Sequence, residues 1–118
     1  MYGLPKDFNA SIFVEHELVQ ICFTINTIHL YFDGEVSVTL LASFAYSPTL
    51  NEASSIETVP VLSSSLMQLI GKKVGSATAK VDGTLTIVFQ DGASLVCLDD
   101  SLDYESYSIR IGEREIIV

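Results

Sequence analysis

The chain has 118 residues, 48% hydrophobic and 18% charged, with three prolines, which excludes whole-chain disorder and matches one domain burying roughly two thirds of its unfolded surface. Six Lys plus Arg against fifteen Asp plus Glu give a formal net charge of -9, a field that repels phosphate backbones, argues against nucleic-acid binding and speeds encounter with a basic protein. Surplus acid also serves plain solubility.

The segment Met1 to Asp7 lacks the basic and apolar regions of a secretory signal, and runs such as Leu40-Leu41-Ala42 are too short to span a membrane. A soluble cytoplasmic protein without membrane contact is expected. Val19, Ile21, Phe23 and Ile25 alternate with polar neighbours, as do Ile28, Leu30 and Phe32, then Val36, Val38 and Leu40. Period two predicts three strands, with Asp33-Gly34 as a hairpin turn. This N-terminal meander spans about 10–46. Residues 47–62 read as a loop, in which Ile56 to Leu62, interrupted by Pro60, is at best an edge strand. Serines 63–65, the apolar stripe Leu66, Met67, Leu69 and Ile70, and the closing Gly71 predict one short helix over about 64–71.

A C-terminal meander over 74–118 follows. Val74 to Val81, Thr84 to Gln90 and Ala93 to Leu98 are strands separated by Asp82-Gly83 and Asp91-Gly92, placed as in two-residue hairpins. A final pair, Tyr107 to Ile111 and Glu115 to Val118, is broken at Gly112. The expected fold is all-β, with one short helix and antiparallel meanders forming a half-barrel or sandwich in a single domain; α+β is the alternative. The halves also echo each other, Ile28 to Gly34 resembling Leu85 to Gly92.

Cys22 and Cys97 lie in apolar runs and are expected to be buried free thiols, with Cys22 pointing away from the face of Ile21 and Phe23. His16 and His29 are the only imidazoles, and Gly-x-Ser-x-Gly is absent, so no catalytic site is predicted. On a strand, Glu15 and Glu17 would point away from His16, and the acids after Asp99 lack calcium-loop spacing. Lys72 and Lys73 follow a helix end and match no phosphate loop. No metal and no cofactor is expected.

The run Leu69-Ile70-Gly71-Lys72-Lys73-Val74, then Asp82 to Gly92, Leu95-Val96-Cys97 and Asp103-Tyr104-Glu105-Ser106-Tyr107 resembles a family of small uncharacterised bacterial β domains. Their N-terminal unit is similar to Leu30-Tyr31-Phe32-Asp33-Gly34. The resemblance runs from about Ile12 onward and rests on turn and core residues. Some such domains look like immunity proteins of contact-dependent or polymorphic toxin systems, which implies an antitoxin role by direct binding to a cognate toxin. This chain ends at Val118 without the glycine-rich, aromatic tail associated with the family, so nothing the tail does is carried over.

The residues point to a contact. Asp91, Asp99, Asp100, Asp103 and Glu105 occur with no intervening base and run into Tyr104 and Tyr107. Acid beside tyrosine suits a basic partner such as a nuclease toxin, whereas the plain alternative is a solvated loop. Rival expectations are a small-ligand β barrel with a cavity lined by Ile21, Phe23 and Phe89, and an adaptor that forms a homodimer through strand edges.

Overall fold

Alternation of apolar and polar residues makes strands the main regular structure of this molecule. The computed structural model describes residues 3–49, 55–59, 65–101 and 105–118. The strands are β1 (Leu18–Phe23), β2 (Ile28–Phe32), β3 (Val36–Leu40), β4 (Ser43–Ser47), β5 (Ser55–Thr58), β6 (Val74–Ala79), β7 (Leu85–Phe89), β8 (Ser94–Cys97), β9 (Tyr107–Ile111) and β10 (Arg114–Ile117). They form two antiparallel five-stranded sheets, β1-β2-β3-β9-β10 and β5-β4-β8-β7-β6. The sheets do not close into a barrel, and the expected all-β antiparallel fold takes the form of two layers. Their inner faces share one core, with Leu30, Phe32, Val38 and Ile109 from the first sheet and Phe44, Ile87, Phe89 and Leu95 from the second. Phe89 is core and Phe23 lies exposed on the first sheet's edge strand, so the two do not line a barrel cavity.

The two meanders do not stay within their own halves. After β1-β2-β3 the chain crosses to the second sheet, where β4 pairs with β8 (Phe44↔Cys97) and β5 edges the layer. After β6-β7-β8 it crosses back, and β9 pairs with β3 (Leu40↔Tyr107) with β10 outside it. Each half thus supplies a hairpin that completes the other half's sheet. Tyr107 is fully buried, and its hydroxyl donates to the Gly83 carbonyl in the β6–β7 turn, tying the returning hairpin to the opposite layer.

The hydrogen bonds repeat with the same exchange. A 3₁₀ turn at Ala10–Phe13 precedes β1, and another at Leu66–Leu69 precedes β6. Glu15 donates its backbone N–H to Val74 O and Gly71 donates to Leu18 O; Leu18 donates to Lys72 O and Val74 to His16 O. Glu17 and Lys73 meet in a β-bridge where the halves cross. Both following strands carry a register irregularity just inside their start, after Leu18 and after Val74. The equivalent pairs Leu30 and Ile87, Phe32 and Phe89, and Val38 and Leu95 are all in the core.

Several expectations are corrected. The helix over 64–71 is only the 3₁₀ turn: Leu66 and Leu69, three residues apart, are buried, while Met67 and Ile70 are exposed. Four residues form too few hydrogen bonds to offset α-helix nucleation. Ser63 and Ser64 lie outside the described residues, and Ser65 makes no side-chain cap. The glycine turns are three-residue loops. Lys80 N–H donates to Thr84 O and Phe89 N–H to Ala93 O, with Gly83 (φ 95°) and Gly92 (φ 96°) left-handed. Asp82 and Asp91 each accept the N–H two residues on, which sets the turn. Cys22 is exposed because β1 is an edge strand and Cys22 faces outward; Cys97 is buried, and both are free.

The repeat exposes one asymmetry of the backbone. Glu15 (φ 71°) and Glu35 (φ 61°) occupy left-handed conformations where the other half has Gly71 and Gly92. A side chain there costs about 1 kcal/mol, partly offset because glycine loses more freedom on folding. Glu15→Gly and Glu35→Gly should each stabilise the fold by a few tenths to about 1 kcal/mol, whereas Gly71→Ala should destabilise it by about 1 kcal/mol. Urea unfolding of the three variants reads both signs. Burial pushes the Cys97 thiol up to about 12, so a disulfide-exchange reagent at pH 8 should titrate one thiol in the native protein and two in denaturant.

Candidate functional site

The expected acidic contact does not form one patch. Asp91 and Asp99 lie beyond opposite ends of β8, whose four residues span about 13 Å. Asp91 pairs with Lys72 Nζ at 2.8 Å, and its carboxyl is held below the ordinary range first by that lysine and then by the Ala93 N–H. Asp99 accepts a hydrogen bond from the buried Ser106 hydroxyl at 2.9 Å and packs against Gly83. Asp100 is exposed and Glu105 half-buried. Asp103 and Tyr104 lie outside the described residues. Tyr107 is a core residue rather than a contact residue: it shares the inward parity of Ile109, and burial raises its hydroxyl pKa.

The topology gathers a different set of carboxylates. Asp33 N–H donates to Glu17 O, drawing the β2–β3 turn against the approach to β1. His16 Nδ1 lies 2.7 Å from Asp33 Oδ1, and this bond, ahead of the Glu17 N–H, holds the Asp33 carboxyl below its usual 3.8. A Cβ on Gly34 (φ 71°) would stand 2.5 Å from the His16 ring, so glycine is required there for space as well as conformation. Gly112 N–H donates to Glu35 O, bringing the β9–β10 turn and Glu113 alongside. Glu15, Glu17, Asp33, Glu35 and Glu113 therefore cluster at one end of the first sheet. The matching positions of the other half hold Gly71, Lys73, Gln90 and Gly92, with Lys72 matching His16. One backbone pattern thus carries acid in one copy and lysine in the other; the two sets adjoin at the β-bridge between Glu17 and Lys73, and Asp91 neutralises Lys72.

The outward faces of the sheets differ as well. Cross-strand register aligns Cys22, His29, Thr39, Ser108 and Ile117 in one row on the first sheet, and Gln20, Tyr31, Ser37, Arg110 and Glu115 in the next. The outward register of the second sheet holds Thr78, Thr86, Val96, Ala45 and Ile56, and beside them Ser76, Val88, Ser94 and Ser47, with no charge in either row, although Ala45 and Ser47 are themselves buried. The first face is indented by a groove of about 350 Å³ whose wall includes His29, Tyr31, Glu105, Arg110 and Glu115. His29 is fixed at both nitrogens, 2.9 Å from the hydroxyls of Thr27 and Thr39, and stacks on Tyr31 with ring centroids 6.0 Å apart. Arg110 is bonded to Glu115 at 3.2 Å. Of the expected acidic-contact residues that are described, only Glu105 lines this groove, and His29, weighed from sequence as a catalytic imidazole, lines it as well. Alternation of polar residues on β2, β3 and β9 marks the face, but which strands are neighbours is not local information.

Among the described residues no group of three or more His, Cys, Asp or Glu is placed to hold a metal ion. No helix among them is long and apolar enough to cross a membrane. No curated protein and no solved structure shows significant similarity to the chain. A family model described as a family of unknown function (DUF6188) matches residues 11–118, and the chain belongs to that family.

Proposed function

We propose that this domain is a stoichiometric binding protein for a basic partner, and specifically an immunity protein that neutralises a cognate toxin. The observation that supports the reading is the charge asymmetry on a repeated backbone. Glutamate occupies two left-handed positions whose counterparts are glycine, so the acidic pole is kept at a conformational cost. A net charge of -9 adds long-range steering toward a cation. Carboxylates at this pole would pair with the Lys and Arg that a nuclease uses to hold phosphates, occluding its site by imitating the charge of its substrate. Of the described residues of the stretch 91–105, Asp100 and Glu105 remain in the proposed contact, and the expectation for Asp103 and Tyr104 lies outside the described residues. Asp91 is already paired and Tyr107 is internal.

A homodimer is the second reading, favoured by the uncharged outer face of the second sheet, where two acidic copies could meet without like charges opposed. A concentration-independent monomer in sedimentation would remove it.

Co-expression with the C-terminal domain of the protein encoded immediately upstream tests immunity. The expected outcome is rescued growth and a one-to-one complex whose affinity falls as salt rises. Combined Glu15→Gln, Glu35→Gln and Glu113→Gln should weaken that complex at least tenfold, with Asp91→Asn close to wild type. Unchanged affinity in the triple variant would remove the pole from the contact, and toxicity without rescue would sink immunity.

A further inference from the structure

We infer that the groove on the outer face of the first sheet is a receptor for one arginine side chain of a partner protein. The inference deepens the reading above, since it rests on the protein engaging a basic partner, and it names a subsite that the acidic pole does not include.

The groove already holds one internal ion pair. Arg110 and Glu115, on adjacent strands, are committed to each other at 3.2 Å. Glu105 is the carboxylate left over. It lines the groove half-buried and has no hydrogen-bond or ion-pair partner among the described residues. A carboxylate partly withdrawn from water gains most from a donor that arrives with positive charge. With Arg110 balancing Glu115, the uncompensated charge in the groove is that of Glu105.

The rest of the wall selects arginine over lysine. The His29 ring cannot swing out to take an incoming group, because both its nitrogens are held by threonine hydroxyls. It therefore acts as a fixed plate, and Tyr31, a residue 39% exposed, lies nearly parallel to it at an interplanar angle of 18°. A planar guanidinium can stack on an exposed aromatic ring while its fork donates to a carboxylate; an ammonium group can do only the second. Ile117, 45% exposed on the same wall, offers apolar surface to the aliphatic stem. A volume of about 350 Å³ is at the small end for ligand sites, which suits one inserted side chain.

The test is a titration of the isotopically labelled full chain with N-acetyl-argininamide, followed by backbone amide shifts. The lysine analogue and the uncharged citrulline analogue are titrated in parallel. Saturable shifts centred on Tyr31, Ser37, Ser108 and Arg110 are expected, strongest for arginine and absent for citrulline. Glu105→Gln should weaken arginine binding about fivefold, as for a solvent-accessible charge pair, and Asp7→Asn, exposed and outside the groove, should leave it unchanged. Tyr31→Leu should erase the preference for arginine over lysine. Equal binding of the citrulline analogue, unchanged affinity in Glu105→Gln, or no saturable shift would each overturn the subsite. Because no toxin is used, a positive titration with failed growth rescue would retain the groove and remove immunity, and the converse result would do the opposite.

Discussion

The reciprocal exchange of hairpins is the constraint on which the rest of the structure depends. β3 finds its outer neighbour only when β9 returns from the far end of the chain, and β8 finds its own only in β4 from the first half. Either half alone would leave a central strand as an open edge, with unpaired N–H and C=O groups and half a core. The bonds that link Glu15 to Leu18 with Gly71 to Val74 close the crossing at one corner, and the Tyr107 hydroxyl on Gly83 fastens the returning hairpin across the layers. Stability is therefore cooperative over the whole chain, and the dominant contacts are non-local, which places folding among the slower topologies.

A scaffold built twice offers two copies of every local environment, and the differences between copies separate what the fold requires from what it does not. Phe32 and Phe89 are equivalent core residues, which the fold requires. At the rim the equivalence breaks. Glu15 stands against Gly71, Glu17 against Lys73 and Glu35 against Gly92. Packing does not call for those glutamates, because the second copy folds the same way without them and with less backbone strain.

Most strands were legible because their period-two alternation is local: β2, β3 and β7 fall where Ile28 to Phe32, Val36 to Leu40 and Leu85 to Phe89 place them. β4 was missed, since Ser43-Phe44-Ala45-Tyr46 offers only two large side chains beside a run of loop chemistry. The exchange was not legible, because alternation reports which face a residue takes and not which strand lies beside it. The repeat was noticed in Phe32 and Phe89, but its use lay in the turns, where aligning Glu35 with Gly92 signals a left-handed glutamate. Tyr107 shows the opposite failure. Its parity with Ile109 announced burial, yet its nearness to acidic neighbours in sequence drew it into a surface patch that the fold divides across β8.

On the proposed reading, two features of the first sheet act over different distances. Glu15, Asp33, Glu35 and Glu113 at its end are exposed, so their attraction for a cation reaches about a Debye length, roughly 8 Å in physiological salt, and governs encounter more than residence. The groove is the reverse. A half-buried carboxylate beside a fixed aromatic pair acts only on a group already inside it, where the gain comes from desolvation and geometry. On the proposed reading the pole brings a basic partner to the face and the groove holds one of its side chains there. Such a division explains why the charges are not concentrated in the groove itself: packing more carboxylates around Glu105 would set like charges against one another in a confined space, whereas at the sheet end water screens them.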